Sequence, residues 1–462
     1  MAADLNTVDP AWAWRPFEPA ADRPWNQPLA AHLYRRAGFG GSGEDLRKAV
    51  ERGLPATLDA LLQAAPAAQE FDTRIEQLAS TLLGSNDPRR LSAWWLYRMI
   101  GTPAPCLEKT TLFWHGHFAT SAAKVEDSEM MLAQYRLLHQ HAFGKFGPLV
   151  QGISRDPAML EWLDSTTNRK VHPNENYARE VMELFCLGVG NYTERDIQQV
   201  ARAFTGWELR RGKFEFNPYQ HDTGTKTILG QSGKYNGDQA IEIILAQPAA
   251  PRFIARKLFR YFVCDEPAPS PELIEPLAKQ LRAGDFEIGP VIRTILGSNL
   301  FFSTHAIARK VRSPVEVGVG LLRALEATTN VYKLADGLDQ LGQAVFYPPN
   351  VKGWDGGRTW INSSTLLGRA NLVRTLLSAP ETRFAEGRGL AAVAQRAGIE
   401  FSQPGGPERA VDWLAELLLA VPLATAVREP LVALAREPME DPNRRLARLV
   451  HAVCALPEFQ LV

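Results

Sequence analysis

The chain has 462 residues, of which 45% are hydrophobic and 22% are charged, a composition typical of a globular protein with a large core. Lysine and arginine together number 51, as do aspartate and glutamate, so the formal net charge is zero. This balance lacks the basic excess of nucleic-acid-binding proteins, and we expect no nucleic-acid partner. No run of about 18 apolar residues occurs, so the sequence predicts no membrane span.

Residues 1–28 are rich in proline and tryptophan and lack the basic and apolar regions of a signal peptide. On this basis we expect a cytoplasmic protein. Such a segment cannot form a core of its own. We predict that it is extended and lies over the globular part, with Trp12, Trp14 and Trp25 as anchors.

From Leu29 onward, apolar residues recur every three or four positions, which predicts helix along most of the chain. Caps support this prediction, because Asp156 precedes Pro157 and the segment 313–316 has the pattern of a capping box. Short helices with short connections indicate a mainly α fold, an orthogonal multi-helix array rather than a coiled coil.

The helical pattern also indicates how the chain is divided. We predict a helical family domain over residues 29–400 and a linker at 401–409. Residues 410–462 then form a C-terminal helical extension packed on that domain. The four cysteines are far apart and form no metal-binding pattern, so we interpret most as reduced core residues, although four thiols can also form two disulfide bonds.

Two segments interrupt the helices. Residues 207–229 alternate polar and apolar side chains around turn-forming glycines, which predicts a small β-hairpin excursion. Residues 346–362 contain two prolines and three glycines, typical of a rigid loop that carries Trp354 and Trp360. Trp354 either covers a polar site and stacks on a ligand, or packs the loop onto the helical body.

The segment FWHGHFAT at 113–120 places two histidines on either side of Gly116. In a continuous helix, residues two positions apart point about 200° apart, so His115 and His117 can share an ion only if the helix breaks. Otherwise one is a ligand and the other supports it or belongs to the core. Imidazole is a common metal ligand and acid–base group, so we predict that at least one serves a functional site.

The most informative segment is PNENYAREVMELFCLGVGNYTERD at 173–196, which predicts a helix with an N-cap at Asn174. Asn176, Glu180 and Glu183 are spaced so that they share one face of an α-helix. Two carboxylates and an amide on one face can bind a metal ion or serve as an acid and a base.

The alternative is a solvated helix face on which Arg179 pairs with Glu183. Our hypothesis is instead that Glu180 and Glu183 face inward, toward the helix that carries His115 and His117. Coordinates that place both carboxylates in open solvent would refute it.

His221 and Asp222 add an imidazole and a carboxylate within the 207–229 excursion. Together with the acids of the 173–196 helix they match a nitrogen-and-oxygen ligand set for zinc, iron or manganese. The alternative is turn chemistry, since Asp222-Thr223-Gly224 is a good turn by itself.

Seven segments together resemble the bacterial family called domain of unknown function 1800. They are HLYRRAGFGGS (32–42), FWHGHFAT (113–120), DPAMLEWLD (156–164), PNENYAREVMELFCLGVGNYTERD (173–196), ARAFTGW (201–207), HDTGTK (221–226) and PPNVKGWDGG (348–357). The resemblance implies little about activity. Many relatives resemble exported proteins, which leaves the compartment open. Relatives are often encoded beside a second family of unknown function, which implies a protein partner from that neighbouring family.

The leading hypothesis is an enzyme with a His/Glu/Asn polar site and hydrolytic or metal-assisted chemistry. The predicted catalytic residues are Glu180, Glu183, Arg179 and His117. The predicted substrate-binding residues are Asn174, Asn176 and Trp354. A divalent metal ion is the one cofactor that the pattern suggests, with candidate ligands His115, His117, Glu183 and His221.

Two alternatives stay open. Without a metal, the same glutamates can act as acid and base on a glycan. In a different class, the chain is a non-catalytic binding or scaffolding protein, whose polar cluster is a structural network and whose 346–362 loop is the contact surface. An open pocket that reaches the acids favours a site, whereas a closed and fully hydrogen-bonded cluster favours a network.

Overall fold

The computed structural model describes residues 5–63 and 66–462 of the chain. Helices account for 61% of the structure and the strands are confined to small antiparallel pairs, so the predicted mainly α fold is confirmed. Predicted caps are present. The Ser313 hydroxyl accepts the Glu316 backbone N–H, and the Glu316 carboxylate accepts the Ser313 N–H in return. Asp156 likewise accepts the Met159 N–H at the start of the next helix.

The first half of the chain forms a series of helices with short connections. They are α1 (Pro10–Ala13), α2 (Gln27–Ala37), α3 (Gly43–Arg52), α4 (Leu54–Leu62), α5 (Pro66–Leu83), α6 (Pro88–Gly101), α7 (Pro105–His117), α8 (Ala122–Val125), α9 (Ser128–Gln140), α10 (Phe146–Arg155), α11 (Pro157–Trp162), α12 (Asn176–Glu180) and α13 (Glu194–Ala203). A π-helix, Val181–Cys186, directly continues α12. The helix predicted within 173–196 therefore ends in a wider turn.

The 207–229 excursion forms strands, as predicted, and the sheet structure extends a few residues beyond it. Strands β1 (Trp207–Arg210) and β2 (Lys213–Phe216) form one antiparallel hairpin, and β3 (Lys226–Ile228) and β4 (Gln231–Gly233) form a second. Each hairpin turns through two residues with positive φ, which is the geometry of a type I′ turn. The turn residues are Arg211 (φ 50°) and Gly212 (φ 74°), then Leu229 (φ 49°) and Gly230 (φ 83°).

The second half returns to helices, with one further strand pair, β5 (Ala327–Thr328) and β6 (Arg383–Phe384). The helices are α14 (Gly237–Leu245), α15 (Ala249–Phe262), α16 (Pro271–Ala283), α17 (Ile288–Leu296), α18 (Pro314–Ala324), α19 (Val331–Gln340), α20 (Ser363–Ser378), α21 (Leu390–Arg396), α22 (Gly406–Leu418), α23 (Thr425–Arg436) and α24 (Pro442–Cys454). Short 3₁₀ turns lie at Leu5–Thr7, Ser165–Thr167, Gly357–Trp360, Ala385–Gly387 and Pro457–Gln460.

The buried apolar side chains of the described residues form two large clusters, and α7 contributes to both. Trp114 and Phe118, at its end, belong to the cluster built with α10, α14, α15 and α17. Leu112 belongs to the cluster built with α6, α18 and the C-terminal helices. Because α7 lies between two cores, its side chains are buried on nearly every face, and the polar ones among them need partners inside the protein.

The two ends of the chain contact the helical body. The indole N–H of Trp14 donates to the carbonyl oxygen of Leu273 at 2.7 Å, and that of Trp25 donates to Ala49 at 3.0 Å. At the other end, α24 packs against α20 and α21. The division into three segments stays a prediction. The four cysteines are buried with free thiols. A search of the described residues for a helix long and apolar enough to cross a membrane finds none.

Candidate functional site

Helix α7 continues without a break through both histidines, and the 346–362 loop rests against its end. A Cβ added to Gly353 would lie 2.2 Å from the carbonyl oxygen of Gly116, and Gly353 has a φ of 78°. Position 353 therefore requires glycine both for its backbone conformation and because the loop backbone approaches the backbone of α7 so closely. This contact brings Trp354, the next residue, to the end of α7, where it lies 3.9 Å from the Cβ position of Gly116.

His115 points toward the second core. Its Nε2 accepts the backbone N–H of Phe346 at 3.2 Å, and its ring contacts those of Trp95 and Trp354, with centroids 5.3 and 5.6 Å away. Burial lowers the pKa of His115 to about 3, so the ring is neutral and can accept this bond. Phe346 has a φ of 68°, unusual for a bulky residue, and the bond helps to hold that conformation.

His117 points the other way, as the two-residue spacing in a continuous helix requires. Its Nε2 lies 3.0 Å from the carbonyl oxygen of Phe185, which it can only contact as a donor. The Nδ1 atom is buried and has no hydrogen-bond partner within residues 5–63 and 66–462. Burial, reinforced by the charge of Lys257, lowers the pKa of His117, so the ring is neutral with Nδ1 as an unused acceptor.

A cavity of about 160 Å³ lies beside this end of α7. Its walls come from α7, the C-terminal turns of α15, the start of α18 and the 346–362 loop. The lining side chains combine aromatic rings with charged groups: Leu112, Phe113, His117, Lys257, Arg260, Tyr261, Asp265, Lys310, Val311, Ser313, Glu316, Gln343, Lys352, Trp354, Asp355 and Trp360, with Gly116 and Gly356. The predicted acids Glu180 and Glu183 are not among them.

Lys257 is the cavity residue with the least usual surroundings. Burial lowers the pKa of its amine, and the neighbouring Arg260 lowers it further. In the part of the chain that the structure describes, no acidic side chain pairs with Lys257. Its one recorded contact is a cation–π contact with Phe253, with Nζ 5.2 Å from the ring centroid. A partly buried cation without an acidic partner in the described residues thus lines the cavity.

Three other charged groups in the cavity wall, Asp265, Lys310 and Glu316, are paired. The Nζ of Lys310 donates to Asp265 at 2.7 Å, and the Nζ of Lys109, behind the wall, donates to Glu316. Burial alone would raise the pKa of Glu316, but Lys109 and Lys310 outweigh it and hold the pKa at about 2. These ion pairs hold the wall together. Lys257, in contrast, has no acidic partner in the described residues.

The amides of the 173–196 segment brace the preceding loop. The Asn174 side chain donates to the carbonyl oxygen of Asp164 and to the hydroxyl of Thr167, and it accepts the backbone N–H of Asn176. The amide of Asn176 donates to Leu163 at 3.0 Å. Helix α12 begins at Asn176 rather than directly after Asn174, so the predicted N-cap acts one residue earlier, within a turn.

The charged residues of this segment are not paired as the solvated-face alternative predicts. Arg179 forms a two-pronged ion pair with Glu194, at 2.9 and 2.7 Å, rather than pairing with Glu183. Glu183 accepts the hydroxyl of Tyr192 at 2.7 Å. Glu183 lies within the π-helix, whose turns are wider than those of an α-helix.

Glu180 is partly buried and has no recorded hydrogen bond or ion pair to the rest of the described chain. Burial and the nearby Glu183 raise its pKa, while Arg179 and Lys352 lower it. Lys352 also lines the cavity. Glu180 is therefore the one predicted carboxylate that is both uncommitted and electrostatically coupled to the cavity.

His221 and Asp222 are fixed within the hairpin region. Nδ1 of His221 lies 2.9 Å from the carbonyl oxygen of Thr205, and its ring contacts Phe216. Asp222 forms an ion pair with Arg202 at 2.7 Å and accepts the Gly224 N–H, as the turn interpretation requires.

The four predicted metal ligands do not assemble. His115 and His117 lie on opposite faces of α7, Glu183 accepts the Tyr192 hydroxyl, and His221 belongs to the hairpin region. Among the described residues, no group of three or more histidine, cysteine, aspartate or glutamate side chains is arranged to hold an ion. One shared metal site built from these residues therefore has no support in this arrangement and stays a prediction, since a continuous helix does not bring both histidines to one point.

Sequence reasoning missed Lys257 altogether. The residue lies in a helical stretch without a motif, and a lysine at such a position is usually exposed. Its burial depends on the packing of α15 against α7 and the 346–362 loop, which no local pattern encodes.

Residues 32–461 match the family described as protein of unknown function (DUF1800), so the chain belongs to this family. The match covers nearly the whole chain, including the residues of the cavity. Neither a curated protein nor a solved structure matches the chain.

Proposed function

We propose that this member of the family is an enzyme, a hydrolase that cleaves an ester or amide bond of a small molecule in the α7 cavity. The observation that carries the proposal is Lys257, a partly buried cation that lines the cavity and has no acidic partner in the described chain. Buried charges in proteins are normally paired, because an unpaired one costs several kcal/mol. A cavity that keeps one unpaired is suited to bind negative charge.

The chemistry of hydrolysis matches these groups. When water attacks a carbonyl carbon, negative charge develops on the carbonyl oxygen, and the Lys257 ammonium stabilises that charge in a site with little water. The base is the neutral ring of His117. Its Nε2–H is committed to Phe185, so we assign to Nδ1, a buried atom without a partner in the described residues, the proton of the attacking water.

Of the two predicted carboxylates, Glu180 is the one that no hydrogen bond or ion pair of the described residues occupies. It has no partner in the described residues, and Lys352 couples it to the cavity. We assign it to the edge of the site, where its carboxylate lies near the charge of Lys352. The metal-assisted version has less support, because His115, Glu183 and His221 are each committed to another contact.

A second candidate function is non-catalytic binding or scaffolding. It is favoured by the predicted polar residues that bond within the chain, above all Asn174, Asn176 and Arg179. Next to the 346–362 loop, Leu367 of α20 is 65% exposed and offers an apolar contact. Under this alternative the cavity has no chemistry, and its residues can be changed without effect on turnover.

The two candidates differ in the effect of Lys257→Met, which removes the charge and keeps the length of the side chain. We expect kcat/KM for ester and anilide substrates to fall about 10²-fold, as when one charge-stabilising group is removed from other active sites. The melting temperature should stay equal or rise, because the variant no longer buries an unpaired charge. Initial rates and thermal unfolding measure the two effects.

The matched control is Lys213→Met, which makes the same change at an exposed residue of β2. It should leave both quantities unchanged. Equal rates for wild type and Lys257→Met would contradict the proposal, as would the absence of wild-type turnover with both bond classes.

A further inference from the structure

We infer that the cavity takes acyl compounds whose acid part is a compact ring of about benzene size, and that the carboxylate released from them binds at Lys257. This ligand class extends the proposed hydrolytic function. Its reaction part rests on that function. Its binding part stands on the size, the walls and the charge of the cavity alone.

The size and walls of the cavity indicate a flat apolar body. A cavity of about 150 Å³ lined by apolar side chains is known to hold benzene, and this one measures about 160 Å³. Phe113 and Tyr261 form one wall, with ring centroids 5.0 Å apart. Trp354 and Trp360 line the side that the 346–362 loop provides. Aromatic rings in such a setting favour another ring over a flexible polar chain.

The charges of the cavity indicate that the ligand carries a negative group. Lys310 is neutralised by Asp265 and Glu316 by Lys109. The lining groups outside these pairs are three cations and one anion, namely Lys257, Arg260, Lys352 and Asp355. Of these cations Lys257 is the partly buried one, whereas Arg260 and Lys352 are exposed. A single carboxylate inside the cavity therefore meets Lys257, and the exposed cations attract it from solvent.

The reaction and the binding site are consistent with each other. In hydrolysis, a water oxygen bonds to the acyl carbon, and the bond from that carbon to the leaving oxygen or nitrogen breaks. One proton passes to the leaving group, and the acid remains as a carboxylate after it loses its own proton. The carboxylate oxygens occupy the place where negative charge develops during attack, so one cation serves both states.

The test uses benzoate as the probe, because it combines a benzene-sized body with one carboxylate. Isothermal titration of the full chain with benzoate, with uncharged benzamide and with inorganic phosphate separates the contributions. We expect benzoate to bind wild type at least 10-fold more tightly than either of the others. Lys257→Met should lose at least 10-fold in benzoate affinity and none in benzamide affinity, while Lys213→Met matches wild type.

Three results would overturn the inference: no saturable binding of benzoate, undiminished binding by a folded Lys257→Met, or equal binding of inorganic phosphate, which would mark a site for any small anion. These failures are separate from failure of the proposed function. Turnover that depends on Lys257 without benzoate binding would refute the ligand class alone. Benzoate binding at Lys257 without turnover would refute the hydrolase alone.

Discussion

Gly353→Ala is expected to destabilise the protein by about 2–5 kcal/mol and to weaken any ligand binding in the cavity. The new Cβ would lie 2.2 Å from the Gly116 carbonyl oxygen, so the loop has to move away from α7. Overpacking of this kind costs about 1–3 kcal/mol, and the positive φ of Gly353 adds about 1–2 kcal/mol. Because Trp354 follows directly, the displacement also opens one wall of the cavity. Chemical denaturation measures the free energy of unfolding.

The control for this variant is Gly190→Ala. Gly190 has a similarly positive φ of 87°, but no described atom lies within 4 Å of its Cβ position. It should lose only the conformational part, about 1–2 kcal/mol. If both variants lost the same amount, the close contact between the loop and α7 would not be a determinant of the fold.

Lys109→Met is expected to cost about 3–5 kcal/mol of stability, because it leaves Glu316 buried without its main partner. Lys109 is 1% exposed and Glu316 is 6% exposed, so water cannot replace the lost ion pair. The double variant Lys109→Met with Glu316→Gln should recover part of the loss, since it removes the stranded charge. Thermal and urea unfolding of the single and double variants measure both effects.

Lys257→Met provides the comparison within the same region. It is the same chemical change in a lysine that lacks an acidic partner in the described structure, and we expect no loss of stability from it. Two lysines on the two sides of one cavity wall should thus respond in opposite ways. A stable Lys109→Met would contradict the view that the wall is held by buried ion pairs.

The fold was accessible from the sequence because its signals are local. The three-and-four spacing of apolar residues predicts the helices, and the cap at Ser313 fixes the start of α18. The turn at Arg211-Gly212 likewise predicts the first hairpin. The π-helix at Val181–Cys186, which contains Glu183, has no such signal.

The candidate site was only partly accessible, because it depends on contacts between distant segments. His117 and Trp354 were identified from their own motifs, and the structure brings both to one cavity. Lys257 is defined by what surrounds it, and nothing in the residues next to it in sequence marks it. Asn174 and Arg179 were predicted as site residues from their residue types. In the structure their side chains instead bond to Thr167 and Glu194, which come close only in the folded chain.

The charge state of Lys257 is the most direct test of the cavity as a site for negative charge. NMR of protein with ¹³C-labelled lysine, titrated from about pH 6 to about pH 11, follows each amine, and Lys257→Met identifies the signal. We expect the pKa of Lys257 to lie below the usual lysine range, because burial and Arg260 disfavour the ammonium form, and to rise when benzoate is added. An ordinary lysine pKa that benzoate does not change would contradict the assignment of this cavity as the functional site.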